Sequence, residues 1–237
     1  DKLLKGENWG ESAALIEREE FNEQMINYGY REVSAKLAKS AITVDGALND
    51  AAWKEASTAG GFVRFKGKSP SKEDPNAPIV EDSDQSEVRI LYDDTHLYFG
   101  ITMHHSQPPT MPNWGKKSIG KRANLAWRVS CMEVCIDPEM DRDSFFKMVP
   151  NLQNWYFEEH FQGDGHDLGA GGDWHSGLDY KLAVGEKQSI IELRVPIKSM
   201  SKELPKPGDR WGIQFCRSHW GDDLKIYSSW SYMFEFY

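Results

Sequence analysis

Glu158 and Glu159 stand side by side, with His160, His166 and His175 close behind them. A pair of carboxylates can serve as acid and base on a glycosidic bond. The run "NWYFEEHF" reads as a strand, however, and neighbouring strand residues point to opposite faces, which argues against a paired site. A second acidic group, "DPEMDRD", places Asp137, Glu139, Asp141 and Asp143 at alternating positions. That pattern is similar to an oxygen-rich calcium loop, but it lacks the glycine at the sixth place and the glutamate at the twelfth that an EF-hand requires. "GDGHDLGAGGD" (163–173) is a Gly/Asp stretch that can hold calcium or simply turn the chain. Three cysteines are present, Cys131, Cys135 and Cys216. Cys131 and Cys135, four apart on one strand face, lie about 13 Å from each other, too far for a disulfide. Cys216 is within reach of one of them across a sheet, and all three also fit as small buried apolar residues. No CxxC pair suggests zinc, and no G-x-S-x-G, H-E-x-x-H or P-loop occurs.

The composition narrows the partner classes. The chain has 237 residues, a formal net charge of -9, and nine Trp, nine Tyr and eleven Phe. Its one short basic run, "GKKSIGKR", is no clustered footprint for phosphates, so a nucleic-acid partner is disfavoured. No apolar stretch approaches the length of a membrane span. The abundant aromatics suit a core, and they also suit stacking on a ligand.

The elements that must position these residues are mostly strands. Residues 1–39 carry Leu15, Ile16, Phe21, Met25 and Ile26 at helical spacing after Ser12, and predict a short helical segment preceding the main domain, 40–237. From Ile42 the pattern becomes short β runs. "SEVRILYD" and "HLYFGITM", separated by Asp94 and Thr95, predict a hairpin. "CMEVCID", "SFFKMV", "NWYFEEHF", "LDYKLAVG", "SIIELRVP", "WGIQFCRSH" and "KIYSSWSYMF" follow, and only "IKSMSKEL" offers a helical turn. Many short strands between Gly, Pro and Asp turns predict an all-β sandwich or barrel. Two long polar loops, 66–84 and 106–127, interrupt the series, and loops of that length are commonly functional or disordered.

Several of these runs, in order, resemble carbohydrate-binding module family 9 and its relatives. They are "VDGALNDAAW" (44–53), "VRILYDDTHLYFGI" (88–101), "MEVCID" (132–137), "IELRVP" (191–196), "GDRWGIQF" (208–215) and "SWS" (229–231). The matches span about residues 41–231 and leave out 1–39. The resemblance implies an immunoglobulin-like antiparallel β-sandwich that binds oligo- or polysaccharides without catalysis. It also implies an extracellular, periplasmic or cell-surface setting alongside polysaccharide degradation.

A sugar ring offers an apolar C–H face and a rim of hydroxyls, which call for an aromatic plate and charge-assisted hydrogen bonds. By the resemblance, Trp127 is the plate and Glu133, six residues on, bonds the hydroxyls. Strand parity puts Glu133 on the face opposite Met132, Val134 and Ile136. Lys147 falls near a position where the family carries a cation, and Arg217 is a second cationic candidate whose planar fork suits vicinal hydroxyls. The chain departs from the family after "SWS", where a second aromatic is expected. Trp114, Trp220, Tyr232 and Phe234 are candidates for it, while Trp230 is expected in the core. No cofactor is required. The resemblance allows structural calcium, with Asp137, Asp141 and Asp143 as candidate ligands. Three alternatives stand beside sugar binding. One is a glycan-active enzyme, another is a purely structural, partner-binding sandwich, and the third is the related haem-binding sandwich, for which Met103 or Met111 with His104, His105 or His219 would supply ligands.

Overall fold

The computed structural model describes residues 31–64, 80–110, 126–141, 143–162 and 174–231. Twelve strands are seen among them. In chain order they are β1 (Lys36–Leu37), β2 (Ser57–Ala59), β3 (Val63–Arg64), β4 (Ser86–Tyr92), β5 (His96–His104), β6 (Cys131–Asp137), β7 (Phe145–Pro150), β8 (Tyr156–Phe161), β9 (Asp179–Val184), β10 (Gln188–Pro196), β11 (Gly212–Trp220) and β12 (Lys225–Ser229). They form two sheets. The first runs β1-β4-β5-β10-β9, with β2 also on β4, and the second runs β3-β12-β11-β6-β7-β8. The expected all-β sandwich is the observed fold. Its pairings are antiparallel except β1 with β4, which is parallel.

Period-two alternation builds the core. Val88, Ile90, Phe99, Ile101, Ile191, Leu193 and Val195 face inward from the first sheet, and Met132, Val134, Ile136, Met148 and Phe215 from the second. Phe99 meets Phe215 edge-on across the gap, at 5.9 Å between ring centres, and Trp230 packs beside Phe215 in the interior. The β4–β5 hairpin turns where expected, because Asp93 organises it. Its Oδ1 accepts hydrogen bonds from the N–H groups of Thr95 and His96, both at 2.7 Å, and its Oδ2 from the Tyr98 hydroxyl at 2.6 Å.

The "VDGALNDAAW" segment crosses the outer face of the first sheet, and Glu192 holds it there. Glu192 is buried on β10, where one carboxylate oxygen accepts the N–H groups of Asp45 and Gly46, each at 2.8 Å, and the other accepts the Trp53 indole N–H at 2.8 Å. Two glycines make the fit. Gly46 takes φ +86 with the Leu182 backbone against it, and a Cβ on Gly100, opposite Glu192, would lie 2.8 Å from Leu48 and 3.1 Å from Trp53. Asp50 does not cap the turn Ala51–Glu55 with its side chain; it accepts the Thr43 N–H at 2.7 Å instead.

Residues 1–30 lie outside the described residues, and so does most of the expected helical segment. Its described part, 31–39, is extended rather than helical. β1 joins the sheet, Arg31 donates to the Gly60 and Gly61 carbonyls, and Glu32 pairs with Arg210. Tertiary hydrogen bonds override any local helical preference over these described residues. Among the described residues no helix is long and apolar enough to cross a membrane.

Arg217 lies at one end of the core. Its guanidinium donates to the Asp84 carbonyl at 2.5 Å, the His104 carbonyl at 2.5 Å, the Gln85 carbonyl at 3.2 Å and the Ser86 hydroxyl at 3.3 Å, tying β11 to the first sheet. Beside it the rings of His105 and His219 stack at 5.6 Å, both buried. Burial, reinforced by the Arg217 charge, lowers both imidazoles, His219 to about 4.

Two predictions follow from these buried groups. Glu192→Gln places an amide N–H₂ against N–H donors and should cost about 2–3 kcal/mol in urea unfolding; stability equal to the parent would show that the carboxylate does not hold the segment. The folded protein keeps His219 neutral down to about 4 while the unfolded chain protonates near 6.5, so stability falls as pH drops from 6.5 toward 4. His219→Phe, which removes an unpartnered Nε2, should flatten that slope, by on the order of 2 kcal/mol at pH 4.

Candidate functional site

The outer face of the second sheet carries Glu133 and Lys147. Inward residues of β6 are apolar, so Cys131, Glu133, Cys135 and Asp137 point outward. Register does the rest: Cys135 lies opposite Lys147 and Gln214, Glu133 lies opposite Cys216, and Lys147 lies opposite Glu159. Lys147 and Glu133 are therefore diagonal neighbours, and their ion pair closes to 2.5 Å. The Lys147 and Glu133 side chains keep 22% and 15% of their surface, enough to meet a ligand while holding a fixed geometry. Burial alone would lower the Lys147 ammonium, but the adjoining Glu133 carboxylate outweighs it and raises the group above the ordinary lysine range. The pair thus sets a donor and an acceptor side by side.

Aromatic residues border this pair. Phe145 and Phe161 stack at 4.7 Å, and the Lys147 ammonium lies 5.9 Å from the Phe161 ring centre. At the other end Trp220 presents its ring to the Lys225 ammonium at 4.2 Å, so one face of that indole is already covered. The short turn Ala126–Arg128 precedes β6, and Ala126 and Val129 pack with Cys131, Val149 and Trp155. That packing seats the Trp127 backbone beside the outer face of the second sheet. The Trp127 side chain and the whole of Trp114 lie outside the described residues, as do Met111, Tyr232 and Phe234.

Arg217 does not join this face. Its parity on β11 is that of Phe215 and His219, so it points into the sandwich, where its donors serve carbonyls. The sequence reading of Arg217 as a rim cation fails on parity alone, for Gln214, Cys216 and Ser218 hold the outward positions opposite β6. Glu159 was visible in sequence only as half of a carboxylate pair; its position opposite Lys147 needed the register of β7 and β8. Glu158, on the other face, is buried and accepts the Ser176 N–H and hydroxyl and approaches His175 Nδ1 at 3.4 Å. The two glutamates do not converge, as the alternation required.

The acidic residues at the β6–β7 turn cap the backbone. Asp141 Oδ1 accepts the N–H groups of Asp143 and Ser144, its Oδ2 accepts the Ser144 hydroxyl, and Asp137 Oδ1 accepts the Glu139 N–H. Among the described residues no three His, Cys, Asp or Glu side chains gather as metal ligands, and Asp137 and Asp141 accept turn N–H groups. Of the haem candidates, His105 and His219 stack on one another at 5.6 Å and Met103 is packed in the core, while Met111 lies outside the described residues.

Fold and face together define a β-sandwich with a partly open charged and aromatic sheet surface. Solved structures of the same fold include a family 9 carbohydrate-binding module from Caldicellulosiruptor kristjanssonii in complex with cellotriose. It aligns over 82% of this chain and 81% of its own, with a TM-score of 0.53 and 12% identity. The same module in complex with glucose aligns over 82% of each chain at a TM-score of 0.52 and 12% identity. A protein from Bacteroides uniformis described as carbohydrate-binding covers 85% of this chain and 89% of its own, at a TM-score of 0.56 and 14% identity. No protein-family model matches the sequence, and no curated protein matches it. The chain shares the sandwich fold of these carbohydrate-binding proteins.

Cys131, Cys135 and Cys216 surround Glu133 and form no disulfide. Burial pushes all three up, Cys135 to about 12. Thiolate is the reactive form, so the folded protein should resist a disulfide reagent at pH 8 and titrate three thiols only after unfolding. Rapid reaction of the native protein would mean that this face opens in solution.

Proposed function

We propose that the protein binds carbohydrate without catalysis, on the outer face of the second sheet, with Trp127 as the aromatic plate and Glu133 and Lys147 as the polar rim. The observation that carries this reading is the Glu133–Lys147 pair at 2.5 Å on a partly open sheet face. A carboxylate beside an ammonium offers an acceptor and a donor at the spacing of vicinal sugar hydroxyls, and each such bond is charge-assisted. The Trp127 turn is anchored on the same face, so an indole there would meet the C–H side of a ring whose rim reaches Glu133. Arg217 has no part in this reading. Trp114 and Trp220 remain candidates for a second plate, Trp220 through the indole face that Lys225 leaves free.

Glu133 is tied to Lys147 in an ion pair, an arrangement suited to holding hydroxyls. Glu158 is spent on Ser176. We therefore read the module as one that brings a polysaccharide to chemistry done elsewhere, in an extracellular or cell-surface setting.

A glycan array followed by titration calorimetry tests the reading. For whichever glycan binds, Trp127→Ala should remove most of the affinity, and Glu133→Gln should weaken binding at least tenfold in a protein that still unfolds cooperatively. Undiminished binding by both variants would displace the site from this face.

A further inference from the structure

The segment that seals Glu192 also builds a pocket of about 390 Å³ on the outer face of the first sheet. It is lined by Asn49, Asp50, Trp53, Lys54, Thr58 and Arg89, among others. The site of Glu133 and Lys147 lies on the opposite outer surface of the sandwich, so the two cannot share one ligand unit. The volume falls at the lower end of the range for small-molecule sites.

Arg89 is the reason to regard this pocket as a site. It stands in a row across the sheet, opposite Thr58 on β2 and Gly100 on β5, with Glu192 next on β10. Trp53 and Leu48 lie over Gly100, and the Glu192 carboxylate is taken by the Asp45 and Gly46 N–H groups and the Trp53 indole. Among the described residues the Arg89 guanidinium makes no hydrogen bond or ion pair. Arg194, on the same outer face, pairs with Asp179 at 3.2 Å. Arg89 is half-buried in a concave site with five donors unspent, and Lys54 adds a second cation on the rim. The one carboxylate in the lining, Asp50, has an oxygen committed to the Thr43 N–H.

We propose that this pocket is a second saccharide site, selective for a sugar that carries a carboxylate. Arg89 takes the carboxylate through its planar fork, which matches two oxygens at once. Lys54 contributes a second positive charge. The Asn49 amide, the Thr58 hydroxyl and the second oxygen of Asp50 meet ring hydroxyls, and the half-buried Leu48 lies against ring C–H groups. The proposal stands apart from the Glu133 face and does not depend on it.

Amide-resolved NMR titration of the full chain with D-glucuronate and D-galacturonate, each alone, tests it, with glucose and acetate as controls. At least one uronate should shift the amides of residues 49–58 and 89 with affinity at least tenfold above that for glucose and acetate. Arg89→Ala should abolish the preference, and Lys54→Ala, at an exposed position where folding is not at stake, should weaken uronate binding severalfold. Trp127→Ala should leave it unchanged, which separates failure here from failure at the other face. Shifts of equal affinity with acetate would reduce the pocket to a general anion site and overturn the proposal. So would the absence of shifts with both uronates, or full uronate affinity in Lys54→Ala.

Discussion

A single buried carboxylate organises the first sheet. Glu192 lies on the outer side of β10, where an uncovered charge would be unremarkable, yet it is covered, and three N–H groups replace its water. Burying a carboxylate is costly unless hydrogen bonds compensate it. Here two backbone donors and an indole converge from a segment about 140 residues away in sequence. The segment is thereby obliged to cross the sheet at one place and in one orientation. Gly100 and Gly46 are consequences of the same constraint, since the indole needs the space above one and the turn needs the backbone freedom of the other.

Arg217 does for the joint between sheets what Glu192 does for the covering segment. A guanidinium with no acceptor capacity is matched to carbonyls from β5 and from the turn before β4. Burial holds it near 10, still charged at neutral pH. The neutral His105–His219 stack completes this end, and the cost of protonating it beside a fixed cation links the fold to pH. Both charges are structural because the chain encloses them, Glu192 under the covering segment and Arg217 inside the sandwich. Glu133 and Lys147 differ in that they satisfy each other on a surface left partly open.

The functional reading rests on that difference. Ion pairs partly withdrawn from water and bordered by aromatic rings are preorganised for a polar ligand with an apolar face. The likeness to carbohydrate-binding structures, at 12–14% identity, speaks to the sandwich and its strand order. The chemistry of the face must be argued from its own residues. Arg89 illustrates the same point on the other side, where a pocket arises from the geometry of the covering segment.

The sequence by itself determined the strand-rich class, the β4–β5 hairpin, the inward parity of Met132, Val134 and Ile136, and the outward placement of Glu133. All are local: alternation and turn chemistry act within a few residues. It also showed that Glu158 and Glu159 could not work as a pair, again by alternation. What it could not express was which outward residue meets which. The Glu133–Lys147 pair depends on the register of β6 against β7, and the inward turn of Arg217 depends on the register of β11 against β6. The extended course of residues 31–39 depends on β4 offering an edge and on Arg31 finding the Gly60 and Gly61 carbonyls. The "DG…W" opening looked like a domain signature, and only the tertiary structure revealed its purpose. Its donors are spent on a carboxylate near the far end of the chain, and no local rule links residues that distant.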